Sequence, residues 1–168
     1  MSGAARNAWI GYGVAILVVA LDQAAKAWIL GPAHLSEGAS AGLWGPFQLT
    51  LVWNPGIAYG LFRSDAAWPR WALSGFEFAV AAALAVWVRR ADKPITGLSI
   101  GLVMGGAIGN LIDRVRFGAV VDFIDVRRLQ LPLGWHFPWI FNVADSAITV
   151  GIIGLIAESV LSPRKPAA

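Results

Sequence analysis

Cysteine is absent from the 168 residues of this chain, and histidine is scarce. The first absence excludes disulfides, zinc-thiolate sites and thiol nucleophiles, and it means that the chain cannot itself be lipidated on cysteine. His34 and His136 are the two histidines, and neither belongs to a His-Glu-x-x-His helix. This argues against a metalloprotease, and we expect neither a metal nor another cofactor.

Charge is the next scarcity. Only 14% of the residues are charged, whereas 57% are apolar, and the mean hydropathy is +0.63. Such a composition is too hydrophobic for an ordinary soluble domain of this length. No block of basic residues suggests a nucleic-acid surface. The sequence therefore predicts an integral membrane protein that does not bind nucleic acid.

Four stretches approach the roughly 20 apolar residues that a helix needs to cross a bilayer. We expect the first to be a permanent helix and not a cleaved secretory signal, because it contains Asp22 and Lys26 and lacks a clear small-residue cleavage site. We predict an all-α integral membrane protein, a single polytopic domain over residues 1–168. Its helices are expected at about 9–30, 70–88, 95–112 and 139–161, with outer loops at about 31–69 and 113–138.

The orientation of this domain is predicted from its basic residues. Each side of a four-span chain receives six, so the total does not decide. On one side, however, they lie in the tails and one short loop, where the positive-inside rule has most force. We expect both termini in the cytoplasm, together with Arg6, Arg89, Arg90, Lys93, Arg164 and Lys165.

The outer loops contain strand and turn signals. Residues 47–53 (FQLTLVW) alternate, residues 54–56 (NPG) are typical of a turn, and residues 57–62 (IAYGLF) could return as a second strand. This predicts a small hairpin at the membrane surface. In the third helix, small residues four apart predict close helix packing at Gly101, Gly105 and Gly109.

Several polar residues lie within or at the ends of the predicted helices. Asp22 and Lys26 are four apart and can pair, either as a functional group or as a structural ion pair that fixes helix packing. Asn110, Asp113 and Arg114 share one face at the outer end of the third helix. The last two could form an interfacial charge cluster, or the arginine could hold a lipid phosphate or a peptide carbonyl.

Two aspartates are harder to explain as ordinary surface residues. Asp122 lies in the apolar, alternating segment 119–126 (AVVDFIDV), whereas Asp125 precedes a basic pair and is expected to be solvated. Asp145 forms a polar stripe with Asn142 on the fourth helix. Counted from residue 139, it lies about 9 Å along that helix, close to the outer interface.

Asp122 and Asp145 are thus expected at a similar depth. Two carboxylates together in a site of low dielectric cannot both ionise, so they share a proton, and aspartic proteases use this arrangement to activate water and polarise a carbonyl. Spacing alone does not bring the two together. A proton-coupled transporter or channel subunit with a relay through Asp22, Lys26, Glu77 and Asp145 stays open. So does a scaffold that binds lipid-modified proteins without cutting them.

Five segments of the chain resemble the sequence blocks of the lipoprotein signal peptidase family, also called signal peptidase II. They are DQAAK (22–26), NPGIAYG (54–60), GGAIGNLIDR (105–114), VVDFID (120–125) and FNVADSAITVG (141–151). In order and together they cover nearly the whole chain. The departures are Ile57 and Tyr59, where alanine and phenylalanine are more usual.

The resemblance implies four transmembrane helices with an outer β-cradle and a short periplasmic helix in the first loop. It also implies an intramembrane aspartic endopeptidase of the bacterial inner membrane, active near the outer face. Its substrates would be diacylglyceryl-modified prolipoproteins, cut just before the lipid-modified cysteine, and it would work as a monomer among membrane lipids.

The same resemblance assigns site residues. The catalytic pair would be Asp122 and Asp145, with no metal. Six positions match residues that line or support the site: Asn54, Gly56, Asn110, Arg114, Asn142 and Ala144. Three match structural or supporting positions: Asp22, Lys26 and Asp113.

Overall fold

Four long apolar helices dominate the computed structural model, which describes residues 2–56, 68–129 and 137–161. Each is long and apolar enough to cross a membrane, as the sequence predicts. The helices are α1 (Gly3–Leu30), α2 (Trp68–Trp87), α3 (Pro94–Phe117) and α4 (Val143–Leu161).

The ends of these helices differ from the predicted ends for local reasons. The N-terminus of α1 is capped by Ser2, whose Oγ accepts the backbone N–H of Ala5 over 3.3 Å. The end of α3 is set by Gly118, whose φ of 83° suits glycine at this position. α4 begins at Val143 rather than at residue 139, so Asp145 lies in its first turn and not about 9 Å along it.

The third helix packs at the centre of the bundle, against α1 on one side and α4 on the other. A Cβ atom added to Gly105 would lie 2.7 Å from the backbone oxygen of Ala15 in α1. One added to Gly106 would collide with the backbone oxygen of Ala144 in α4. The predicted close packing is confirmed, because the backbones approach where α3 has no side chain.

A four-stranded antiparallel sheet covers one end of the bundle in the order β1-β2-β3-β4. Its strands are β1 (Ser40–Trp44), β2 (Phe47–Asn54), β3 (Val120–Asp125) and β4 (Ile140–Phe141). The hairpin partner of β2 is β1, joined through Gly45 with a φ of 56°. The return strand predicted at 57–62 lies outside the described residues. Residues 31–56 contain no counterpart of the implied periplasmic helix, and 57–67 are not described.

The sheet is seated on the end of α1 by a small apolar cluster. Ile29 of α1 packs with Leu51 of β2 and with Val121 and Phe123 of β3. Because successive side chains of a strand point to opposite faces, Asp122 points away from this cluster. The strand therefore directs Asp122 towards a different set of neighbours.

Candidate active site

Asp122 is buried in the middle of β3, with 2% of its surface exposed. Its Oδ2 accepts a hydrogen bond from Asn54 Nδ2 over 2.9 Å, and its Oδ1 accepts one from Asn142 Nδ2 over 2.8 Å. Burial raises the pKa of Asp122 to about 7; the bond from Asn54 opposes this rise and the negative charge of Asp145 adds to it. The carboxyl group therefore retains its proton far above the usual range of an aspartate.

Asp145 is held at the start of α4 by reciprocal hydrogen bonds with Asn142. The backbone N–H of Asp145 donates to Asn142 Oδ1 over 2.9 Å, and the backbone N–H of Asn142 donates to Asp145 Oδ2 over 3.3 Å. This is the pattern of a capping box. Asn110 Nδ2 donates to the other carboxylate oxygen over 2.8 Å. The positive end of the α4 dipole favours negative charge at this place.

One asparagine therefore contacts both predicted catalytic aspartates. The side-chain amide of Asn142 donates to Asp122 while its backbone N–H donates to Asp145. The same amide also donates to Asn110 Oδ1 over 3.2 Å. The sheet and the two helices α3 and α4 thus bring together residues that are far apart in the sequence.

A buried charge cluster lies beside this network. Lys26 Nζ is 2.7 Å from Asp22 Oδ2 and 2.7 Å from Asp113 Oδ2, and each of the three side chains is at most 2% exposed. The predicted pairing of Asp22 with Lys26 is confirmed, and Asp113 joins it. Within the described part of the chain, no three His, Asp or Glu side chains are grouped as a metal site.

Gln23 completes the cluster and was not singled out from the sequence. Its Nε2 donates to Asp113 Oδ1 over 2.9 Å and to Asp22 Oδ2 over 3.2 Å. The available signal was its position, since an amide directly beside Asp22 in an apolar helix needs polar partners.

The cluster is connected to the backbone next to each aspartate. Asp22 Oδ1 accepts the N–H of Ala144 over 3.0 Å, and Asp113 Oδ2 accepts the N–H of Val121 over 3.1 Å. Ala144 directly precedes Asp145, and Val121 directly precedes Asp122. One cluster therefore fixes the main chain at both positions.

Arg114 and Gly56 meet on the other side of Asn54. Gly56 has a φ of 108°, and a Cβ atom there would lie 3.4 Å from Arg114 Nε. Its backbone N–H donates to Asn54 Oδ1 over 2.9 Å. The predicted interfacial charge cluster of Asp113 with Arg114 is wrong, because Asp113 pairs with Lys26 whereas Arg114 forms an ion pair with Glu77.

The expectation that Asp125 is solvated is also wrong. Its side chain is 1% exposed and accepts hydrogen bonds from Thr50 Oγ1 over 2.8 Å and from Arg127 Nη2 over 2.8 Å. The hydrogen bonds from Arg127 hold the pKa of Asp125 down at about 2. It is an ionised aspartate that ties β3 to β2.

An apolar cavity of about 580 Å³ adjoins Asp145. Asp145 is the charged residue among those that line it, and the rest are chiefly apolar side chains of α4 and of the segment around β4, including Phe137, Trp139, Phe141 and Val150. The cavity can bring an apolar chain against the polar network that holds Asp145 and Asp122.

Comparison with known proteins identifies the family. The family model described as Signal peptidase (SPase) II matches residues 14–161. The chain belongs to the signal peptidase II family. As its sequence blocks predict, it is thus a peptidase of a family named for lipoprotein signal peptides, and a bacterial multi-pass membrane protein.

The relatives that match this chain cover almost its whole length. It is 52% identical over 158 residues to the lipoprotein signal peptidase of Caulobacter vibrioides, covering 94% of this chain and 90% of the relative. It is 42% identical to that of Methylobacterium sp. strain 4-46, covering 93% and 92%. A bacterial membrane enzyme solved by the in meso method at 1.9 Å resolution matches with a TM-score of 0.74 and 29% identity, covering 92% of this chain and 94% of that one.

Proposed function

We propose that this chain is an aspartic endopeptidase that removes signal peptides from diacylglyceryl-prolipoproteins, cutting just before the lipid-modified cysteine. The observation that carries the proposal is the hydrogen bonding of Asn142 to both Asp122 and Asp145. A shared donor keeps two carboxyl groups in one site, where one of them is protonated and the other ionised.

The environments of the two aspartates suggest their roles. Asp145 accepts hydrogen bonds from Asn110 of α3 and from the backbone N–H of Asn142. It lies at the start of α4, where the helix dipole favours negative charge, and we assign it as the general base. Asp122 is the protonated member, because burial raises its pKa to about 7. As the pH rises past that value, Asp122 loses its proton and the rate falls.

The reaction then needs no covalent intermediate. Asp145 takes a proton from water as the water oxygen attacks the scissile carbonyl carbon, and Asp122 gives its proton to the carbonyl oxygen. When the tetrahedral intermediate collapses, the C–N bond breaks and Asp145 passes its proton to the leaving nitrogen. Asp122 recovers its proton from the hydroxyl that becomes the new carbonyl.

The other predicted site residues support this chemistry. Asn54, Asn110 and Asn142 orient the carboxyl groups through the hydrogen bonds described above. The ions around Lys26 fix the main chain at Val121 and Ala144. Arg114 and Gly56, which meet beside Asn54, support the turn that orients this asparagine.

The apolar cavity beside Asp145 suits the lipid-modified end of the proposed substrate. Asp145 lies in the first turn of α4, and the cavity of about 580 Å³ beside it is mostly apolar. A lipid-anchored cysteine would lie at this depth, with its apolar portions in the cavity. In this proposal the site faces the outer side of the inner membrane, both termini are cytoplasmic, and a monomer suffices.

Replacement of either aspartate tests the proposal. Asp122→Asn and Asp145→Asn should each abolish cleavage of a purified diacylglyceryl-prolipoprotein in detergent, followed by the change in its mobility on a gel. The exposed Asp92 provides the matched control, and Asp92→Asn should cleave normally. Normal processing by Asp122→Asn would refute the assignment. A scaffold would instead bind the substrate without cutting it, and a transporter would leave it intact.

A further inference from the structure

The second helix contributes none of the predicted site residues, yet it carries a buried acid. Glu77, midway along α2, forms an ion pair with Arg114 of α3, and the two side chains are 15% and 10% exposed. An ionisable residue inside an apolar span is expensive to bury. Such a residue is by default a sign of function, and the pair is therefore followed to its neighbours.

The face of α2 that carries Glu77 leans on the turn beside Asn54. Leu73, one helical turn earlier, occupies the space where a side chain at Gly56 would be. Arg70, near the start of the same helix, donates from Nη2 to the backbone oxygen of Val115 over 2.6 Å. Residues of one α2 face thus contact both the outer end of α3 and the turn.

A continuous set of contacts runs from this face to the dyad. Glu77 binds the guanidinium of Arg114, which lies against Gly56. The N–H of Gly56 donates to Asn54 Oδ1, and Asn54 Nδ2 donates to Asp122 Oδ2. Each contact fixes the orientation of the next group.

The guanidinium of Arg114 has few polar contacts besides the ion pair with Glu77 among the described residues. Its Nε is buried and, within the described residues, has no hydrogen-bond partner. Among those residues, the ion pair with Glu77 is the polar contact made by the guanidinium. Without the carboxylate, a buried guanidinium would be left uncompensated and would turn towards water or another acid.

We infer that Glu77 is a positioning residue for Asp122, acting through Arg114 and the turn at residues 54–56. This inference rests on the proposed aspartic mechanism. Glu77 keeps the guanidinium of Arg114 against Gly56. The turn at residues 54–56 then keeps the side-chain amide of Asn54 hydrogen-bonded to the carboxyl group of Asp122. Glu77 does not touch the substrate in this account, so its loss should reduce kcat with little change in KM.

The test is Glu77→Gln in the full-length protein in detergent, with a diacylglyceryl-prolipoprotein as substrate. We expect kcat to fall about tenfold, as for other small displacements of a catalytic group. Glu77→Asp, which keeps the charge, should give an intermediate kcat. The control is Glu158→Gln, since Glu158 pairs with Lys93 over 3.0 Å away from these residues, and its kcat should stay normal.

The pH profile separates positioning from mere stability. The hydrogen bond from Asn54 lowers the pKa of Asp122, while Asp145 on α4 raises it and Lys26 on α1 lowers it. If the hydrogen bond from Asn54 is weakened, the pKa of Asp122 should rise. The fall in cleavage rate at alkaline pH should then occur at a higher pH, by up to about one unit. Asn54→Ala should shift it likewise, and Glu77→Gln should add nothing in the Asn54→Ala background.

Three results would overturn the inference. One is a wild-type kcat and pH profile in Glu77→Gln while Asp122→Asn is inactive, an outcome that leaves the proposed mechanism standing. Another is a change confined to KM. If Glu77→Gln does not fold, the third result is a wild-type kcat and a wild-type pH profile in Glu77→Asp. Activity in Asp122→Asn would instead refute the mechanism itself.

Discussion

Two aspartates of one strand, three residues apart, show how partners decide the charge of a buried carboxyl group. Asp122 and Asp125 are 2% and 1% exposed, so burial alone does not distinguish them. Asp125 accepts hydrogen bonds from a guanidinium, and its pKa is held at about 2. Among the described residues, the donors to Asp122 are the neutral amides of Asn54 and Asn142, and burial raises its pKa to about 7. Asp125 is therefore fixed as an anion, whereas Asp122 can exchange a proton near neutral pH.

This difference predicts how stability depends on pH. Because the pKa of Asp122 is higher in the folded protein, its protonation stabilises the fold at low pH, and this contribution is lost as the pH rises through about 7. Asp122→Asn has no proton to lose. Its melting temperature relative to the wild type should therefore increase between pH 5 and pH 8, by the equivalent of roughly 2.6 kcal/mol.

Thermal unfolding in detergent at the two pH values measures this effect. Asp125→Asn is the matched control, because the pKa of Asp125 lies below the whole interval. It should lower the melting temperature by the same amount at both values. A constant difference between Asp122→Asn and the wild type would show that Asp122 does not titrate there.

At the scale of elements, the charge cluster holds α4 and β3 to α1 and α3. Asp22 of α1 binds the N–H of Ala144 in α4, and Asp113 of α3 binds the N–H of Val121 in β3. Lys26 forms an ion pair with both carboxylates. The elements that carry the dyad are thus positioned by charges that do not themselves belong to it.

Replacement of Lys26 should show how much the stability of the fold depends on this charge cluster. Lys26→Met leaves two carboxylates buried without a counter-charge and should lower the free energy of unfolding by about 3–5 kcal/mol. Adding Asp22→Asn should recover part of the loss. Chemical or thermal unfolding in detergent provides the measurement, with Lys93→Met as the control. Lys93 is 49% exposed in its pair with Glu158, so its replacement should cost less than about 1 kcal/mol. Equal losses would contradict this role of the cluster.

At the scale of the whole molecule, the sequence predicts what is local. Hydropathy identifies the four helices because the length and apolar composition of a single segment are enough to predict that it spans a bilayer. The strand around Asp122 follows from alternation for the same reason. Contacts between distant segments do not follow. The sequence gives no sign that Glu77 meets Arg114, or that Arg127 and Thr50 enclose Asp125, since such pairs depend on how the elements pack.

The central position of α3 leads to a prediction for the whole bundle. Gly106 lets α3 approach α4 where Ala144 precedes Asp145, and a Cβ atom there would collide with the backbone oxygen of Ala144. Gly106→Ala should therefore push the start of α4 away from Asn110, which binds Asp145. Because a displacement of about 1 Å at a catalytic group can cost a hundredfold, we expect kcat/KM to fall by at least about tenfold.

Gly13 in α1 offers the control for this change. A Cβ atom at Gly13 would meet nothing within 4 Å, and alanine favours a helix over glycine. Gly13→Ala should keep normal cleavage and at least normal thermal stability. Cleavage of a diacylglyceryl-prolipoprotein by both variants, measured well below their melting temperatures, separates displacement of the dyad from general destabilisation. Normal kcat/KM in Gly106→Ala would mean that α4 tolerates the shift, and that the contact between α3 and α4 does not set the geometry of Asp145.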